Sequence, residues 1–165
     1  METTNYQISS AHEGIIKLKG TIGENKRRAK GVYALTWFAE ELDQLKGTEY
    51  AVQCGVVYGP FARGAKRVQQ LDLLLVLENN VDEDVAMEFI VEKIICKIYM
   101  EVRIFFYLDV VNSESLKPAI ESPTPLMMRI LKEGIVFYGR NVLNAGEKEC
   151  IGNSLNRTNR QLCGI

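Results

Sequence analysis

The stretch Tyr58-Gly59-Pro60-Phe61-Ala62-Arg63-Gly64, followed after a short connection by Leu71-Asp72-Leu73-Leu74-Leu75-Val76, decides how this chain is to be read. The β-rich segment 51–58 closes at Gly59-Pro60, and residues 71–77 form a near-continuous apolar run broken by one carboxylate, the pattern of an interior strand. A turn that follows a strand and opens a helix offers backbone N–H groups to an anion. Strand, turn, connection and acid-bearing strand therefore define both a sheet and the place where its chemistry would sit.

Outward from this stretch, the periodicities alternate. Before it, Val32, Leu35, Phe38, Leu42 and Leu45 recur at three- and four-residue steps, so residues 26–46 read as an amphipathic helix with its apolar stripe against the sheet. Tyr33, Trp37 and Phe38 are expected in the core. After it, Ala86, Ile90, Ile94 and Ile98 mark a helix over 82–101, with Asp82-Glu83-Asp84 in the first turn, where the helix dipole favours acids. Residues 102–111 read as a third central strand. Ser122-Pro123-Thr124-Pro125 starts a helix that Gly134 stops, and 135–138 read as a short strand. Residues 1–25 remain unassigned, 26–140 form one domain, and 141–165 form an Asn- and Gly-rich tail.

Composition narrows the function. The 165 residues carry 20 Lys+Arg against 21 Asp+Glu, so a charged partner must be met by a local patch, and an apolar share of 47% argues against disorder. Apolar runs such as 73–77 are far shorter than the roughly 18 residues of a membrane span, and the Met1-Glu2-Thr3-Thr4-Asn5 start is neither basic nor apolar, so a cytoplasmic protein is expected. Cys54, Cys96, Cys150 and Cys163 share no CxxC spacing; Cys54 and Cys96 read as buried free thiols, and a Cys150–Cys163 disulfide is an open alternative. With His12 the only histidine, a His-based triad or a His-rich zinc site is nearly excluded.

The ordered elements of residues 35–140 resemble the minimal nucleotidyltransferase domains of the DNA polymerase β-type superfamily. The likeness runs from the Gly59-to-Gly64 turn and the Asp72 strand through Val110-Val111-Asn112-Ser113-Glu114 to Ile130-Leu131-Lys132-Glu133-Gly134-Ile135-Val136-Phe137-Tyr138. The resemblance implies an α/β (α+β) fold, a small mixed sheet with helices chiefly on one face. It implies transfer of a nucleoside monophosphate from a nucleoside triphosphate to an acceptor, with Mg²⁺ as cofactor. Gly59, Pro60, Arg63 and Gly64 then fall at the nucleotide-binding turn. Asp72 falls at a catalytic and metal-binding position, Gln70 at a further metal position, and Asp109 is the candidate for the third catalytic and metal-binding acid.

The physical logic of such a site is that carboxylates at i and i+2 of a strand face one side, where a third from a neighbouring strand completes a two-metal centre. Here Pro60 stands where the family has Ser, removing a hydroxyl and a backbone N–H, and Gln70 stands where it has the first Asp, removing a negative charge. The third acid is ambiguous: aligning the end of the third strand brings Phe106 nearest the acidic position, whereas Asp109 is the acid present. Positions 106 and 109 point to opposite faces of a regular strand, so Asp109 can join Asp72 only if their faces match. These departures make a non-catalytic binding or regulatory module the alternative to an enzyme. Minimal nucleotidyltransferases are often antitoxins of small helical toxin ribonucleases, which implies a protein partner; self-association through exposed sheet edges is a further possibility. The cluster Lys26-Arg27-Arg28-Ala29-Lys30 is the candidate for contact with nucleic acid or an acidic protein.

Overall fold

A computed structural model describes residues 11–143 and places a four-stranded mixed sheet at the centre of the chain, in the order β3-β2-β1-β4. Strands β1 (Val52–Tyr58), β2 (Gln70–Leu77) and β4 (Ile135–Gly139) pair antiparallel through β1, and β3 (Phe105–Val111) runs parallel to β2 at one edge. This is the expected fold class, with the expected mixture of strand directions.

The larger core lies on one face of the sheet. Val32, Leu35, Phe38 and Leu42 of helix α2 (Lys26–Asp43) join Leu71, Leu73 and Leu75 of the sheet in this core. The second covering helix is continuous in path but not in type: α4 (Glu83–Ile90), a π-helical turn (Val91–Ile95) and α5 (Cys96–Val102). Asp82 caps its start by accepting from the Val85 N–H at 3.0 Å, and Ala86, Ile90, Ile94 and Ile98 are buried at the expected spacing. The opposite face holds a smaller cluster built from Cys54, Val56, Leu74, Val76 and Val136, covered by α6 (Leu116–Glu121) and α7 (Pro125–Glu133). Helix α7 begins as expected, with the Thr124 hydroxyl accepting from the Met127 N–H and Pro125 in its first turn.

The segment left unassigned above contains a helix, α1 (Ala11–Lys19), which packs on β4; a side chain at Gly14 would collide with the Val136 carbonyl, so glycine permits this close approach. Several expectations are corrected. Helix α2 ends at Asp43 rather than at 46. Strand β3 begins at Phe105, because the preceding helix runs to Val102 and Arg103 closes it in the left-handed region with φ 55°. Tyr33 is exposed, its ring 6.1 Å from that of Trp37, since it lies off the apolar stripe. Cys96 is exposed on α5, whereas Cys54 is fully buried and its thiol is pushed up to about 11 by that burial. Cys150 and Cys163 and almost all of the 141–165 tail lie outside the described residues.

Candidate functional site

Strand register brings the sequence-predicted residues together. In the antiparallel β1–β2 pair Tyr58 lies opposite Asp72, and in the parallel β2–β3 pair Gln70, Asp72 and Leu74 lie opposite Phe105, Tyr107 and Asp109. Facing residues of neighbouring strands project to the same side, so Gln70, Asp72, Tyr58, Tyr107 and Asp109 share one face. Phe106 lies on the other face, 5.9 Å from the Phe38 ring in the main core. The parity test is met: Asp109, not Phe106, faces the same way as Asp72.

The turn is built as its sequence demands. Gly59 has φ +73°, and a Cβ there would run into Asp72 Oδ2, so glycine is required both by conformation and by the closeness of the acid. Pro60 enters the first turn of the short helix α3 (Gly59–Ala62), where its missing N–H leaves no intrahelical bond unmade. Gly64 reverses the chain with φ +86°. The loop 63–69 is then tied down from α2. The Asn25 amide donates to the Lys66 carbonyl at 2.8 Å and Arg27 Nε to the Val68 carbonyl at 2.8 Å. The Arg28 guanidinium donates to the carbonyls of Phe61 and Ala65 at 2.9 and 2.8 Å. Arg28 also donates to the Thr21 hydroxyl and lies 4.3 Å above the Phe61 ring. At 2% exposure it is a strut that holds the turn, and it leaves the basic cluster expected to meet a partner.

Four polar groups of the site are held in pairs within the same chain. The Gln70 amide donates to Asp72 Oδ1 at 2.7 Å, and the Tyr58 hydroxyl donates to Asp109 Oδ2 at 3.0 Å. Glu133, at the end of α7, accepts from the Gly59 N–H at 3.2 Å and from Arg63 Nη1 through both carboxylate oxygens at 2.9 Å. A carboxylate thus sits on the N–H and guanidinium groups that would meet a phosphate. Neither Glu133 nor Tyr58 was singled out as a site residue from the sequence. Glu133 carries no local signal, since its partners are some seventy residues distant.

The electrostatics follow from this packing. Burial raises the Asp72 carboxyl above its ordinary range; the Gln70 hydrogen bond and the guanidiniums of Arg129 and Arg63 oppose that rise, and Asp109 reinforces it. Tyr58 is held well above the ordinary phenol range, chiefly by burial and then by the charge of Asp109. The donor set does not fit a three-carboxylate, two-metal centre. Two acids are present, and the third position turns an amide N–H, not an oxygen, toward Asp72. Among the described residues, no group of three His, Cys, Asp or Glu side chains is placed to hold a metal ion.

No protein-family model matches the chain, and no curated protein matches it. Among solved structures it is similar to a chain of a toxin–antitoxin complex with AMP-PNP, at 13% identity and a TM-score of 0.43, over 76% of this chain and 92% of that one. It is similar to a chain of the MntA–HepT toxin–antitoxin complex at 12% identity and a TM-score of 0.37, over 75% and 88%. A third similarity is to a chain of the complex between a tri-AMPylated Shewanella oneidensis HEPN toxin and the MNT antitoxin, at 11% identity and a TM-score of 0.39, over 78% and 94%.

Proposed function

We propose that the chain is a nucleotidyltransferase-fold binding and regulatory module, antitoxin-like in that its partner is a small helical protein of the toxin-ribonuclease kind. One observation carries this reading: every group of the motif that would meet a metal-chelated triphosphate already holds a partner from its own chain. Gln70 occupies Asp72, Tyr58 occupies Asp109, and Glu133 occupies both the Gly59 N–H and Arg63. Opening such a site means giving up charge-assisted hydrogen bonds, each worth roughly 1.5–3 kcal/mol when intact, before any ligand contact is gained. A protein partner is supported by the edge of the sheet. Phe105 and Tyr107 on β3 are 62% and 53% exposed and Met100 is 62% exposed, residue types enriched in protein interfaces.

A second reading, transfer of a nucleoside monophosphate from an Mg²⁺-bound triphosphate with Asp72 and Asp109 as the acids, is favoured by their common face across β2 and β3. Calorimetric titration with ATP and Mg²⁺ separates the two. The module reading expects no Mg²⁺-dependent binding by the native chain and a gain of binding when Gln70→Asp and Pro60→Ser restore the family residues. Native binding that Asp72→Ala abolishes would return the enzyme reading to first place.

A further inference from the structure

Two basic segments about forty residues apart in sequence meet at the start of α2. The hydrogen bonds from Asn25, Arg27 and Arg28 that anchor the 63–69 loop bring Lys66 and Arg67 beside Arg27. Together with Val68 and Gln69 these three cations line a cleft of about 330 Å³, and no carboxylate lines it. Among the described residues, none of the three makes an ion pair.

The cleft has the chemistry of an anion site. The Arg27 guanidinium is fixed by the carbonyls of Val68 at 2.8 Å and Arg103 at 3.0 Å. Carbonyls hold its orientation without neutralising its charge, so part of a rigid donor fork stays available for an anion. Lys66 and Arg67 are exposed and free to close on a ligand. Three like charges in one wall repel one another, in a chain whose net charge is −1, and an anion relieves that repulsion. A carboxylate carries one negative charge, leaving two of the three cations uncompensated. A terminal phosphate carries nearly two, and consecutive phosphates of a polyphosphate or a nucleic-acid backbone set single charges side by side; both kinds accept from guanidinium and ammonium donors.

We propose that this cleft is a phosphate-binding site, on the α2 side of the 63–69 loop and separate from Asp72. It takes phosphate groups, whether of a free polyphosphate or of a nucleic-acid backbone. It stands apart from the function proposed above, because none of its residues belongs to the Asp72 site.

The test is isothermal titration of the full chain with sodium tripolyphosphate, in Mg²⁺-free buffer at constant ionic strength. Saturable binding is expected, at least tenfold weaker in the Lys66→Gln/Arg67→Gln variant and unchanged in Asp72→Ala. Both replaced side chains are exposed, so the variant's melting temperature should match the native one, which separates lost binding from lost fold. Equal affinity in the native chain and the double variant, or no saturable binding by the native chain, would overturn the proposal. A single-stranded oligonucleotide identifies the source. Tighter binding than tripolyphosphate, with a salt slope that falls by about one for each cation removed, assigns a nucleic-acid backbone. Weaker binding assigns a free phosphate chain.

Discussion

On one face of β2, Leu71, Leu73 and Leu75 are fully buried in the main core; on the other, Asp72 is held by Gln70, beside Asp109, which is held by Tyr58. Strand alternation sends successive residues to environments that are stabilised in different ways. The apolar face depends on volume and on area removed from water, so it tolerates no hole. The polar face depends on partner identity, because a buried carboxylate is tolerated only while donors reach it. The difference teaches that the acid strand serves first as the centre of a sheet: on the second face Leu74 and Val76 are buried under α6 and α7, and the polar groups occupy only the end of the strand near the Gly59 turn.

The contrast can be broken most severely from the apolar side. Leu73→Ala should destabilise the chain by about 3 kcal/mol, because the cavity it leaves is walled by close-packed elements; denaturant unfolding reads this directly, and a loss below about 1 kcal/mol would show a core able to collapse around the gap. Arg28→Ala should cost about as much or slightly less. It strands the carbonyls of Phe61 and Ala65 and frees the turn that carries the site, so proteolysis within 59–69 should accelerate beyond what global unfolding explains. Gly59→Ala should cost about 2 kcal/mol, since the new methyl adopts an unfavourable backbone region and drives Asp72 from its place. Replacement at Gly64, also at positive φ but with open space around it, should cost less, which isolates the collision from the strain.

The smallest effect runs the other way. Because burial raises the Asp72 carboxyl, the native state binds its proton more tightly than the unfolded chain. Stability contributed by this residue is therefore present at low pH and falls as pH rises through the window above its ordinary value near 3.8. Relative to the native chain, Asp72→Asn should fare better as pH rises through that window, because the asparagine has no proton to lose on the buried side of the sheet. Thermal melting of both forms across pH 3–7 checks it, and a variant that fares worse as pH rises would mean that Arg63 and Arg129 outweigh the burial.

Much of the fold was legible because its signals are local. Val32, Leu35, Phe38 and Leu42 announced α2, the Thr124-Pro125 pair announced α7, and the run ending at Leu77 announced β2. The misreadings fell where local signals compete. The helix runs through Val102, which reads equally well as the start of a strand, and Arg103 closes it in the left-handed region, so β3 starts only at Phe105. Tyr33 shows that an aromatic ring beside a core stripe is not thereby in it. In the site, Asp72 and Gly59 stood out as a break in an aliphatic run and a turn residue. The roles of Tyr58, Glu133 and Arg28 did not, because each is defined by a partner more than thirty residues away.

By itself, the sequence determined the strand run, the helices α2, α4–α5 and α7, the turn at Gly59 and the presence of a carboxylate in the central strand, all consequences of side-chain period and backbone preference within a few residues. Only the tertiary structure decided that Asp109 shares a face with Asp72, that Glu133 sits on the turn, and that Lys66 and Arg67 join Arg27 around one cleft. Strand register and loop anchoring create these encounters, and both are settled by how the whole chain packs.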